Sequence, residues 1–211
     1  MADDRAAILD RIRSAVRTQT DPVADYAAIP RTYMRKGILD AEGRLRLLEE
    51  RLRDYDTHVV ETDAASLPRT IVSVLREHNQ KNVIAADGLP AEILPSDFAF
   101  IPERTASLDE LNACDGIVTL CAVAIAFTGS IVLTHGPGEG ARRLTLLPDR
   151  HLCVVRARQI VETVPEAIDR LAPFAAHPLT FISGPSATAD IEMTRIRGVH
   201  GPRFLDVVLV R

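Results

Sequence analysis

Apolar positions along the chain change period several times, and each change marks an element. Over residues 3–17, Ile8, Ile12, Ala15 and Val16 form one stripe among Asp3, Asp4, Arg5, Asp10, Arg11, Arg13 and Arg17, which predicts an amphipathic helix with a face to dock. Residues 18–40 lose that period and carry Pro22, Pro30 and Gly37, so they read as a surface connector anchored through Ile29 and Tyr33. The helical period returns from Glu42 to Tyr55 through Leu45, Leu48 and Leu52, and a strand follows over Asp56 to Val60. Asp63 or Ser66 can cap a helix running to about His78, with Ile71, Val72 and Leu75 inward. Asn82–Ala86 and Phe98–Ile101 read as strands, Ser107 caps a helix through Leu108 and Leu111, and Gly116–Leu120 is the next strand. This is a βαβ rhythm.

After Leu120 the apolar runs Val123–Ala126, Ser130–Leu133 and Leu152–Val155 are separated by loops, so neighbouring strands are expected there. Val164–Leu171 is predicted as a helix with Pro165 in its first turn, Leu179–Ile182 as a central strand, and Phe204–Val210 as an unbroken strand. The expected fold is α/β: one mixed, mostly parallel sheet of about six to eight strands covered by helices, with ligands beyond the strands' carboxyl ends. The expected division is an N-terminal helix and connector over residues 1–40 and an α/β domain over residues 41–211.

Composition narrows the function classes. The 211 residues are 46% hydrophobic, enough for one sizeable core, and 25 Lys and Arg against 29 Asp and Glu give a net charge of -4. That balance and the lack of Trp argue against a nucleic-acid partner. An acidic start and the absence of any apolar run approaching roughly 20 residues predict a cytoplasmic protein with no membrane span. Cys114, Cys121 and Cys153 form no C-x-x-C pair, so buried free thiols are expected in place of a disulfide framework or a local iron–sulfur or zinc site. No cofactor of its own is expected.

Two segments are candidates for chemistry. Thr128, Gly129 and Ser130 precede an apolar run that leads into a loop containing Gly136, Gly138 and Gly140, followed by Arg142 and Arg143. Glycines permit left-handed backbone and close approach, and arginines can meet a carboxylate or phosphate. The same spacing also suits plain turns with solvated arginines. Ser183, Gly184, Ser186 and Thr188 follow a strand, and a helix over Ala187–Met193 would offer its N-terminus to an anion; an ordinary capped connection fits as well. Asp190 would fall in that helix's first turn and could hold a hydroxyl. The six histidines show no local pairing for a metal, and His135 and His200 are kept as candidates for ligand contact or proton transfer. There is no G-x-S-x-G elbow, Walker-type lysine loop or strand-linked G-x-G-x-x-G.

The stretches 128–133, 136–138, 142–151, 182–190 and Gly198–Pro202, taken in order, resemble the LUD domain of the lactate utilisation protein C family over roughly residues 30–211. The resemblance implies a NagB/RpiA/CoA-transferase-like fold. It also implies a part in oxidising L-lactate to pyruvate alongside iron–sulfur partner subunits; the small anionic ligand is expected from the two turns themselves. The family usually carries an acidic residue before the Thr-Gly pair, and here Phe127 stands in that place. Two alternatives stay open: a stand-alone enzyme or binding protein for a phosphosugar or acyl-CoA, and a structural paralogue that docks a partner without catalysis.

Overall fold

The computed structural model describes residues 2–16, 21–188, 196–197 and 201–211. The chain forms two compact units, Met1–Tyr33 and Met34–Arg211. In the first, α1 (Ala2–Val16) is followed by α2 (Pro22–Ala28), whose N-cap Asp21 accepts a hydrogen bond from the Val23 amide at 2.9 Å. The sequence pattern reads residues 18–40 as a connector throughout; α2 is too short to establish a helical period, and its cap is what defines it.

The second unit is built on two sheets. Its elements are α3 (Ala41–Asp54), β1 (His58–Thr62), α4 (Leu67–Glu77), β2 (Val83–Ala85), β3 (Phe100–Pro102), α5 (Leu108–Ala113), β4 (Gly116–Leu120), β5 (Val123–Ile125), β6 (Ser130–Leu133), β7 (Arg150–Arg156), β8 (Ile160–Val161), α6 (Val164–Leu171), β9 (Thr180–Ile182), β10 (Ala187–Thr188), β11 (Ile196–Arg197) and β12 (Phe204–Val210). The large sheet runs β1-β12-β7-β4-β2-β3 with every pair parallel. The smaller one runs β8-β5-β6-β9, with β6 antiparallel to both neighbours and β5 parallel to β8.

Burial explains why the parallel strands read as continuous apolar runs, since both faces of their sheet are covered. On one face Leu45, Leu48 and Leu52 of α3, with Ile131 and Leu133 of the small sheet, pack on Cys153, Val155, Val207 and Leu209. On the other, Ile71, Val74 and Leu75 of α4 pack on Val118, Leu152, Val154 and Val208. Helix starts follow their capping chemistry: Ser107 with Glu110 opens α5 and Thr163 with Glu166 opens α6, each a reciprocal capping box.

The mostly parallel α/β architecture flanked by helices is present, and four details differ from the sequence expectation. Four of the strands after Leu120, β5, β6, β8 and β9, form a sheet of their own, while β7 and β12 join the large one; β5 and β6 close as a hairpin through Gly129 (φ 60°), which packs against Arg51 of α3. Apolar runs declare burial but not which run pairs with which. Second, β9 is an edge of the small sheet, with Phe181 48% exposed, and not a central strand. Third, Ala187 and Thr188, expected to begin a helix, are a strand paired antiparallel with Ile196 and Arg197; the rest of that predicted helix lies outside the described residues. Fourth, of the two residues offered as caps for α4, Ser66 makes no side-chain cap, and the Asp63 carboxylate is the one that accepts, from the Ser66 amide at 2.8 Å and hydroxyl at 3.0 Å.

Candidate functional site

The loop between β6 and β7 leaves the small sheet, crosses the carboxyl ends of β2 and β4 in the large one and returns to the amino end of β7, passing both predicted arginines. Its first half is held by buried carboxylates. Glu139 accepts from the Thr134 amide at 2.5 Å and hydroxyl at 3.0 Å, and Glu103 accepts from the amides of Ala141 at 2.8 Å and Asp87 at 3.1 Å. Gly138 donates its N–H to Asp87 O and accepts from the Leu120 amide, both at 2.7 Å, with φ 81° that a side chain would strain. The amides of Gly138, Glu139 and Ala141 are therefore engaged within the protein, so they do not form the expected cradle of free N–H groups.

The predicted residues separate into two openings. Gly136, Gly140, His135 and Arg143 line one of about 430 Å³, beyond the carboxyl ends of β2 and β3, together with Asp87 and Glu103. Arg142 lines another of about 260 Å³ with Ser183, Gly184, Ser186, Thr180, Thr145 and His151, at the amino ends of β7 and β12. This second opening lies at the opposite end of the strands from where the sequence places a ligand. Thr128 and Ser130 reach it indirectly: Ser130 Oγ is 2.8 Å from Thr128 Oγ1 and 2.7 Å from Ser183 Oγ. Gly129 turns the hairpin, and Thr188 continues the chain from the Ser183 turn as part of β10. Asp190 and His200 lie outside the described residues.

Charge distinguishes the two openings. Arg143 shares its opening with the carboxylates of Asp87 and Glu103, whereas Arg142 is the only formally charged residue among the described residues that line the other. Neither arginine has a carboxylate partner among the described residues; Arg142 donates from Nη1 to Thr145 Oγ1 at 3.1 Å, and that hydroxyl donates to Arg142 O at 3.0 Å. A guanidinium held at a rim of hydroxyls presents donors to a carboxylate or phosphate. Beneath it, His151 is fully buried, its Nε2 is 2.7 Å from Thr119 Oγ1, and burial pushes its pKa down to about 4. It is a neutral floor at physiological pH.

The sequence reading does not single out His151, although Arg150-His151 directly follows the arginine-bearing loop. Nothing local marks a histidine as buried when its neighbours across the sheet come from distant strands. Among the described residues Ser183's hydroxyl partner is another hydroxyl, that of Ser130, and not an imidazole or carboxylate that would activate a nucleophile; that contact suits binding. His135, at φ 59°, bridges the openings: Nδ1 is 2.8 Å from Gly140 O and Nε2 is 2.7 Å from Thr180 Oγ1.

With this geometry in place, comparison with known proteins decides the family. The LUD domain model matches residues 45–210. The chain belongs to the LUD domain family. A relative from Deinococcus radiodurans named lactate utilization protein C is 43% identical over 169 residues, 79% of each chain. Another of that name from an Exiguobacterium species is 27% identical over 205 residues, covering 90% of this chain and 87% of its own. The crystal structure of a DUF162 family protein from Deinococcus radiodurans superposes with a TM-score of 0.73 at 37% identity, covering 82% of this chain and all of that one. The LUD match takes in both sheets and both openings. Phe127, the departure from the expected family pattern, is 57% exposed at the β5–β6 turn and lines neither opening. Among the described residues no helix is long and apolar enough to cross a membrane.

Proposed function

We propose that this LUD domain chain takes part in L-lactate utilisation as a subunit that binds a small carboxylate or phosphate in the Arg142 opening. The observation that carries the reading is a guanidinium with no carboxylate beside it among the described lining residues, set with the hydroxyls of Thr145, Thr180, Ser183 and Ser186 around a cavity of about 260 Å³. That volume lies below the roughly 300–1,000 Å³ of drug-sized pockets and suits a small acid. Supporting it, relatives over most of the chain bear the name lactate utilization protein C. Oxidising L-lactate to pyruvate releases two electrons and two protons, which need an acceptor. All three cysteines are buried and unpaired, so iron–sulfur partner subunits are the carriers this reading requires.

Thermal-shift and calorimetric titration of the purified chain with L-lactate, pyruvate, phosphosugars and coenzyme A tests the proposal, because a ligand of the native state raises the midpoint. A shift with L-lactate or pyruvate that disappears in Arg142→Ala is the expected result. A shift of equal size in that variant removes the assigned site, and a shift with a phosphosugar or coenzyme A alone replaces the lactate reading.

A further inference from the structure

On the face of the large sheet turned away from the Arg142 opening, three residues far apart in sequence converge on one atom. Strand alternation sends His151 and Leu205 to one side of β7 and β12 and their neighbours Arg150 and Asp206 to the other. Asp206 is 1% exposed. His58 is its register partner on β1, and His78 is the C-cap of α4, which packs over β1 and β12. His58 Nδ1 lies 3.1 Å and His78 Nε2 3.3 Å from the same oxygen, Asp206 Oδ1, and the three donor atoms all lie within 4.8 Å of one another.

Hydrogen bonding accounts for His58 and Arg150 at this carboxylate but not for His78. Arg150 Nη1 already contacts Oδ2 at 2.9 Å and Oδ1 at 3.1 Å, so Oδ1 has three nitrogens directed at its two lone pairs. His78 Nε2 is buried and, despite its proximity, has no hydrogen-bond partner. The two imidazole rings stand edge to face at 5.3 Å, turning their nitrogens toward a common point. Donors bonded at about 2.1 Å to a tetrahedral ion stand roughly 3.4 Å apart, close to the 3.1 and 3.3 Å from the two imidazole nitrogens to Asp206 Oδ1. The last carbonyls of α4 add partial negative charge at the same place.

We propose that His58, His78 and Asp206 form a binding site for a divalent transition metal of the zinc or cobalt kind. Two neutral imidazoles and one carboxylate oxygen are a donor set such ions favour. Asp206 Oδ1 is the ligand atom, and Arg150 holds Oδ2, fixing the carboxylate as an outer hydrogen bond does at metal centres. His58 and His78 are 35% and 24% exposed, so water can complete the coordination from the solvent side. The ion ties the carboxyl end of α4 to β1 and β12, separate from the proposed anion site.

Titration of the tag-free, chelator-treated chain with cobalt(II), followed by visible absorption and calorimetry with zinc(II), tests the site. One equivalent is expected to bind and to raise the thermal midpoint. His58→Ala and His78→Gln are each expected to lose more than about tenfold in affinity, while His177→Ala, at an exposed position, retains it. Circular dichroism of the metal-free variants verifies their fold. Should they fail to fold, proton spectra of the cobalt-loaded wild type decide instead, with two exchangeable, strongly shifted imidazole N–H signals expected. Absence of stoichiometric binding, affinity unchanged in both variants, or a cobalt complex without those signals overturns the proposal.

Discussion

His135 Nε2 and Thr180 Oγ1 lie 2.7 Å apart, and this one contact joins the two openings on either side of the β6–β7 loop. Because His135 Nδ1 faces Gly140 O, a carbonyl that can only accept, Nδ1 carries the proton and Thr180 donates to Nε2. Thr180→Val removes that donor without changing shape much. It is expected to destabilise the chain by about 1 kcal/mol, read by urea unfolding; no change in midpoint would show that the contact holds nothing.

The two adjacent arginines should behave differently. Arg142 faces hydroxyls, whereas Arg143 shares its opening with Asp87 and Glu103. Losing a charge-assisted hydrogen bond costs about 1.5–3 kcal/mol, so Arg142→Ala is expected to weaken a bound carboxylate at least about tenfold and Arg143→Ala less than about threefold. Calorimetric titration with L-lactate or pyruvate gives both numbers, and the reverse order would move the site to the other opening.

Gly184 sits at φ 89°, and a Cβ there would come within 2.6 Å of Tyr55 Cβ at the end of α3. Neither backbone can yield cheaply, so Gly184→Ala is expected to cost about 2 kcal/mol and lower the thermal midpoint by roughly 4–8 °C. A variant as stable as the wild type would mean that the turn relaxes freely.

His151 makes stability depend on pH. The unfolded chain takes up its proton as pH falls through the ordinary value of 6.5, whereas the folded chain resists until about 4. The unfolded state binds more protons in that window, so stability falls with pH across it, by about 3 kcal/mol from this group. Wild type should therefore lose that much more than His151→Gln between those pH values. An imidazole that nuclear magnetic resonance finds titrating near 6.5 would contradict this.

The thiols should be inert in the native protein. Burial pushes Cys114 up to about 11, and the proximity of Cys153, with burial, raises Cys121 as well. Thiolate is the reactive form, so a disulfide reagent at pH 8 is expected to label none of the three until guanidinium unfolds the chain. Rapid labelling of the folded chain would refute the burial argument.

Phe127 offers a last check, because its side chain is exposed and its amide donates to Glu162 O at 3.0 Å whatever the side chain is. Phe127→Glu, which supplies the acidic residue expected from the resemblance, should leave stability within about 0.5 kcal/mol and ligand affinity unchanged. A gain in L-lactate affinity would place that residue at the site.

What the sequence determined by itself was local. The leucines of α3, the Ser107–Glu110 cap, the strand Gly116–Leu120 and the unbroken Phe204–Val210 each follow from a period or a cap that acts within a few residues. The ordered run of motifs from Thr128 to Pro202 was enough to indicate the LUD family. Only the tertiary structure decided that β5, β6, β8 and β9 form a separate sheet and that Arg142 and Arg143 face different openings. It alone brings His151 beneath Ser183, and His58, His78 and Asp206 to one point. The reason is physical: pairing partners and shared cavities depend on which strands lie side by side, and parallel strands bring together residues separated by as many as 148 positions. No periodicity along the chain carries that information.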